Sequence, residues 1–196
     1  MIVVIGIVST ITIVSYRGIK DRAVTVSYVS AVDQWEKLIR MEHLTTGKLP
    51  LTYDSVAGEY TRYCLGRATS DFPASGAYAA GQCADQITTV DGAQTASVKT
   101  FYNQTYIDLF QSKSSFPNGL LINSNKTAAT SGNQTSSQTA RGLNIYVSFV
   151  TGTQSYNVSI MWVPPTAGVC GRGIDYMPYL PAETTGGMCN LLFDLK

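Results

Sequence analysis

The first stretch of the chain, residues 1–16, consists of hydrophobic and small uncharged residues without a single charge. Most of them are β-branched, and Val, Ile and Thr lose rotamer freedom in a helix exposed to water. In lipid or in a protein core such a segment does form a helix, because every backbone amide must then be hydrogen-bonded within the segment. The pattern therefore predicts an apolar helical stalk that carries a soluble head.

The helical pattern continues beyond this apolar run. From residue 19 onward the apolar positions fall at 24, 28, 32, 35, 38 and 39, which is helical spacing with one buried face. Glu36 and Arg40 form an i,i+4 pair with the acid first, and Gly47 supplies a stop signal. We predict one helix over about residues 2–43.

Two glycines weaken this predicted helix. Gly18 lies in its interior and Gly6 lies in its apolar half. A glycine costs about 1 kcal/mol relative to alanine in a helix interior. We therefore expect local melting or close approach of another helix at Gly18, and to a lesser degree at Gly6.

Period-two alternation marks the clearest strands of the head. Residues 143–149 and 156–162 each alternate apolar and polar positions, and a Thr- and Gly-containing turn at 151–154 separates them. This pattern predicts an antiparallel hairpin. One face of the hairpin should pack on the upper half of the helix and bury Trp35 and Trp162 in one core.

The rest of the head gives weaker signals. Residues 119–123 and 190–195 are strand candidates, and residues 98–110 predict a short helix. Residues 125–141 are polar and of low complexity, so they cannot bury an apolar face and predict an exposed, mobile loop.

Together these segments predict an α+β fold. The stalk helix occupies residues 1–46, with an apolar part at 1–16 and an amphipathic part at 17–46, and the head occupies residues 47–196. At 196 residues and a formal net charge of +1, the chain suits one domain with an appendage. It has no basic stripe with interleaved aromatics, so we expect no nucleic-acid partner.

Four cysteines predict an oxidising, extracytoplasmic location. They form no CxxC motif, and the single histidine, His43, is distant in sequence, so two disulfides are favoured over a zinc site. Four cysteines allow three connectivities. We favour Cys64 with Cys83 and Cys170 with Cys189, because each pair closes a local loop.

No catalytic arrangement is visible along the chain. His43 has no partner that would orient it as a general base, and it is interpreted as a surface residue or a cation at the helix C-terminus. Asp175 is a lone carboxylate among glycines and does not make a calcium site. We expect no enzyme activity, no cofactor and no metal.

Four Asn-x-Ser/Thr sequons begin at residues 103, 125, 133 and 157. Some would arise by chance in a chain this rich in serine and threonine. Asn125 and Asn133 are the best candidates for glycosylation, because they lie in the predicted mobile loop.

The N-terminal residues resemble bacterial type IV pilins. Residues 6–16 (GIVSTITIVSY) are similar to the family's apolar run "GILAAIAIPAY", and residues 47–50 (GKLP) resemble the "GxYP" that closes the first helix of many members. The match covers residues 1–50. The resemblance implies the pilin fold, a long N-terminal helix packed on a small antiparallel sheet with disulfide-bounded loops.

The chain departs from the family pattern in two places. Mature pilins usually begin "FTLIEL", and aligning the apolar runs puts those residues before Met1, so we expect that the given sequence lacks the family's first residues. The family's helix-breaking proline aligns with Val14. Any local unfolding would then centre on Gly18 or on β-branched residues.

The resemblance implies assembly rather than chemistry. The subunit would be anchored in the inner membrane before assembly and would interact there with the pilus assembly machinery. It would then polymerise into an extracellular homo-oligomeric filament for adhesion or twitching motility. A host or surface receptor would be a further partner. The filament core would be packed by the apolar side chains of Ile2, Val3, Val4, Ile5, Ile7, Val8, Ile11, Ile13 and Val14.

The loop between Cys170 and Cys189 resembles the disulfide-bounded surface loop of pilins. Its aromatic and apolar side chains suit binding, and the candidate adhesion residues are Tyr176, Met177, Tyr179 and Leu180. The alternative is a packed lid held by the disulfide.

Other functions stay open at this stage. A minor pilin or a secretion-system pseudopilin shares the same features, and a membrane-anchored adhesin that never polymerises would use the stalk as its anchor. A secreted enzyme would have a cleaved N-terminus and catalytic residues, and nothing in the chain points to such residues.

Overall fold

The protein is described from a computed structural model. The structure describes residues 2–47, 49, 60–108, 110, 117, 125–131, 134–150, 155–163, 170–171, 174–175 and 189–195. A long helix, α1, spans Ile2–Thr46, about 65 Å at 1.5 Å per residue. It ends as predicted at Gly47, whose positive φ of 68° lets its N–H donate to the His43 carbonyl at 2.8 Å.

Nine strands and one short α-helix follow α1 within the described residues. The short helix, α2, spans Gln104–Asp108. The strands are β1 Tyr60–Cys64, β2 Gln82–Val90, β3 Ala93–Phe101, β4 Asn125–Ser131, β5 Gln134–Ala140, β6 Asn144–Val150, β7 Ser155–Trp162, β8 Ile174–Asp175 and β9 Cys189–Leu195.

A five-stranded antiparallel sheet has the order β1-β6-β7-β9-β8. Its centre is the predicted hairpin, β6 and β7, in which Ile145 faces Ile160 and Val147 faces Val158. The strand predicted at 190–195 is also confirmed as β9. The α+β class is thus confirmed, whereas the strand candidate at 119–123 and the turn at 151–154 lie outside the described residues.

The core lies between this sheet and the second half of α1. Trp35 and Trp162 are both buried in it, as the apolar pattern predicted. The Trp35 ring meets Phe110 edge to face at 6.1 Å between centroids, and Phe110 meets Tyr106 at 5.5 Å. The ring centroid of Tyr106 lies 4.7 Å from that of Tyr63 on β1. This aromatic chain connects α1 through α2 to the edge of the sheet.

A second, four-stranded antiparallel sheet has the order β3-β2-β5-β4. It corrects the prediction of a mobile loop at residues 125–141, because β4 and β5 lie within that segment. β5 pairs with β2 and β4 pairs with β5, so the backbone hydrogen bonds of the sheet hold these polar strands. The described residues thus form two sheets, whereas one small sheet was expected.

The helix predicted over residues 98–110 is wrong in its first half. Val98 lies in β3 opposite Gln86, and only Gln104–Asp108 is helical. The helix begins late because Asn103 caps it, accepting a hydrogen bond from the Tyr106 N–H at 3.1 Å through its Oδ1.

The favoured disulfide connectivity is confirmed. Cys64–Cys83 joins the end of β1 to β2 and so connects the two sheets, and Cys170–Cys189 ties residue 170 to the start of β9. All four cysteines are buried. The bridges thus support the head at two separate places.

Candidate interaction surface on the helix

The amphipathic half of α1 has two opposite faces. Tyr28, Val32, Trp35 and Ile39 are buried against the sheets. At 100° per residue these positions fall within about 60° of one another, and the opposite face is centred roughly 180° away. Where its side chains are described, the helix therefore keeps one side free of the head.

On that free side, between residues 16 and 26, four apolar residues form what we call the apolar stripe: Tyr16, Ile19, Ala23 and Val26. Tyr16 is 69% exposed, and Ile19 and Val26 are each 67% exposed. Their spacing of three, four and three residues aligns them along α1 within about 80°. The stripe continues directly from the uncharged run that precedes it.

Polar residues end the stripe toward the head. Ser30, Gln34 and Lys37 are the exposed residues that follow on the same side of α1. Beyond them Met41 and Leu44 are 47% and 84% exposed. The helix thus presents one large apolar surface at its N-terminal side and a smaller one at its end.

The head is attached to α1 by specific side-chain contacts. The Arg40 guanidinium lies 4.4 Å from the centre of the Phe193 ring on β9, and its Nε also bonds Glu36 Oε1 at 2.9 Å, as the i,i+4 spacing predicted. The His43 ring meets Tyr156 of β7 at 5.9 Å. His43 therefore packs as an aromatic side chain at the end of the helix.

The structure describes only some of the residues that are predicted to act in assembly. Positions 2 to 14, including Gly6, belong to α1, but their side chains lie outside the described part of the structure. The helix continues unbroken through Gly18, and a β-carbon there would meet nothing within 4 Å. Local melting at Gly18 stays a prediction, and the surface around Gly18 is open.

The other predicted sites are only partly described. The candidate adhesion residues at 176, 177, 179 and 180 and the sequon at Asn133 lie outside the described residues. Asn125 is the first residue of β4. Asn103 caps α2, so the structure gives its side chain another role.

Sequence reasoning missed the buried Arg141, which stands between β5 and β6. It is 5% exposed and donates to three backbone carbonyls: Nε to Gln82 at 2.7 Å, Nη1 to Pro73, and Nη2 to Ala79 at 3.2 Å. Its guanidinium also lies 4.6 Å from the Tyr78 ring centre. Burial lowers the pKa of Arg141, and the carbonyls satisfy its charge.

Burial also raises the pKa values of three tyrosines. It raises the pKa of Tyr28 and that of Tyr106, because the phenolate would be desolvated. The pKa of Tyr102 is raised by burial and then by the negative charges of Asp108 and Asp71. All three tyrosines belong to the packed core, Tyr28 from α1 and the other two from the head.

Within the part of the chain that the structure describes, no three His, Cys, Asp or Glu residues are grouped as a metal site. Over the same residues, no helix has an apolar stretch of the length needed to cross a membrane. Comparisons with protein-family models, with curated proteins and with solved structures find no match to this chain.

Proposed function

We propose that this protein is the structural subunit of a type IV pilus-like extracellular filament, assembled by packing of its hydrophobic N-terminal helices. The observation that carries the proposal is the apolar stripe on α1. It lies opposite the face that packs on the head, and it extends the uncharged run toward the head. A stalk with both features can bury its free side only against another molecule.

The chemistry of the stalk favours a second copy as that molecule. On assembly the uncharged run would move from lipid into an equally apolar helix bundle. Because the two environments are similarly apolar, close packing decides whether the helices associate. Ala23 is a small residue within the apolar stripe, so it permits close approach of helices. Addition of subunits head to tail does not close, and a filament results.

The head supports the same proposal in its architecture. A long N-terminal helix whose second half packs on an antiparallel sheet, with a disulfide next to the last strand, is the arrangement that the resemblance to pilins implies. The filament would serve adhesion or twitching motility, and its subunits would be membrane-anchored before assembly. A minor pilin, a pseudopilin or a non-polymerising anchored adhesin is the alternative function.

Electron microscopy of filaments sheared from producing cells tests the proposal. We expect filaments whose purified subunit is this chain by mass spectrometry. Val26→Glu should abolish them, because it buries an unpaired carboxylate in the helix contact. Gln34→Glu is the matched control, since it adds the same charge at an exposed position on the polar part of the same side and should leave filaments intact.

Two results would contradict the proposal. Cells that hold the protein only in membranes, without filaments, would favour the anchored adhesin. If Val26→Glu formed filaments of normal abundance, the apolar stripe would not be part of the contact between subunits. In both variants the two disulfides should form, which shows that the head has folded.

A further inference from the structure

The four-stranded sheet extends beyond the core of the head. On β2 every residue from Asp85 to Val90 is half-buried, whichever face its side chain occupies. On β3 the consecutive residues Ser97, Val98 and Lys99 are all exposed. Because successive side chains of a strand point to opposite faces, the described residues cover neither face in this region. The exposed residues of β3 are therefore accessible from solution.

The two outer strands of this sheet differ in how they are protected. β3 lies against β1, and its pairing with β2 shifts where Thr88 faces Ala96 and Thr89 faces Gln94, which leaves Thr95 as an extra residue. Bulges and coverage of this kind prevent an edge from pairing with another strand.

Strand β4 carries no bulge in its pairing with β5. It pairs with β5 in one unbroken register from Asn125 opposite Ala140 to Ser131 opposite Gln134. It contains no proline, and Lys126 is its single charge. Among the described residues no strand pairs with its outer edge. A regular edge of seven residues with a single charge is a template for one more strand.

We propose that β4 is a homotypic pairing strand, through which two copies of this chain join antiparallel about Ala128. In this register Lys126 of one copy does not face Lys126 of the other, and small residues lie at the centre of the paired strands. A parallel pairing in register would instead bring the two copies of Lys126 side by side. The facing residues are Ala128 with Ala128, Thr127 with Ala129, Lys126 with Thr130, and Asn125 with Ser131.

This contact differs from the one that builds a filament. It is two-fold symmetric and closes on itself, whereas filament growth needs a contact that does not close. Between filaments it would form many times along their length, so that a weak single contact gives strong lateral association. The pairing itself needs no filament, and its test is independent of the proposed function.

Cysteine cross-linking of the full chain tests the pairing. Ala128→Cys places two cysteines directly opposite each other, about 4.5–5.5 Å apart between Cα atoms, within the span of a disulfide. The control Thr127→Cys lies diagonal to its own copy, about 7–8 Å away and beyond that span. A second control, Val98→Cys, is exposed on the outer strand β3.

Under mild oxidation in detergent we expect a covalent dimer to be the main product of Ala128→Cys alone. Equal dimer yields from Ala128→Cys and either control would overturn the proposal. Retention of both native disulfides, checked by peptide mapping, shows that the head is intact in each variant.

A charge pair then tests the register. In the Ala128→Cys background, Thr130→Lys sets a lysine opposite Lys126 of the second copy at both ends of the contact, and cross-linking should be lost. Thr130→Glu at the same position should preserve or raise it, with an increase that fades in high salt. Equal yields from the two variants would overturn the pairing about Ala128.

Discussion

Gly171 lies so close to Val29 of helix α1 that a β-carbon on the glycine would come within 2.8 Å of Val29 Cγ2. The same atom would lie 3.0 Å from Thr25 Cγ2. Gly171 follows Cys170, whose disulfide to Cys189 fixes it at the start of β9. The C-terminal disulfide is thus held directly against the helix, at a point where only a residue without a side chain fits.

Gly171→Ala should therefore lower the free energy of unfolding by about 2–4 kcal/mol, from its positive φ and from overpacking together. Gly92→Ala is the matched control, because Gly92 has a similar φ of 79° but open space around it. It should cost only about 1 kcal/mol. Urea unfolding measures both, and equal losses would show that the contact with Val29 contributes nothing.

Arg141→Met should destabilise the head by about 2–4 kcal/mol, since it leaves the carbonyls of Gln82, Pro73 and Ala79 without a buried donor. The exposed Arg67 makes only a long ion pair with Asp71, at 3.7 Å, so Arg67→Met should change stability by less than about 0.5 kcal/mol. Thermal unfolding measures both variants. A similar loss for both would contradict the role given to Arg141.

Stability should fall at alkaline pH because of two buried tyrosines. Burial raises the folded-state pKa of Tyr28 and of Tyr106. Their contribution is therefore complete below the unfolded pKa of about 10 and is lost as the pH rises above it, at about 1.4 kcal/mol per pH unit for each tyrosine. Urea unfolding between pH 9 and 11, as approximate limits, should show this slope.

Tyr106→Phe should make that slope shallower by about 1.4 kcal/mol per pH unit, because one buried phenol no longer ionises in the unfolded chain. The substitution keeps the ring that packs on Phe110 and Tyr63. A slope unchanged in Tyr106→Phe would mean that other groups cause the alkaline loss.

The two disulfides should have different local effects when removed. Each closes a loop with a sequence separation of 19 residues, so each pair of Cys→Ser changes should cost about 3 kcal/mol. Only loss of Cys170–Cys189 should also speed hydrogen exchange of the α1 amides near Val29, because Gly171 is then no longer held against them. Equal exchange in both double variants would contradict this difference.

The elements with strong apolar periodicity were predictable from sequence. The helix, the hairpin of β6 and β7, and β9 each bury one face, so their patterns carry the period of the structure. The disulfide connectivity was also predicted, because each pair closes a local loop. In contrast, β4 and β5 consist of polar and small residues, so their sequence shows no apolar period and predicts a loop.

The sequence by itself determined that the chain combines an uncharged stalk with an amphipathic helix and a disulfide-bonded head, because these features depend on local composition and spacing. Only the tertiary structure decided which side of α1 is free, that Gly171 lies against Val29, and that Arg141 joins three carbonyls. These contacts bring together residues far apart in sequence, and backbone pairing and close packing at such distances leave no periodic trace along the chain.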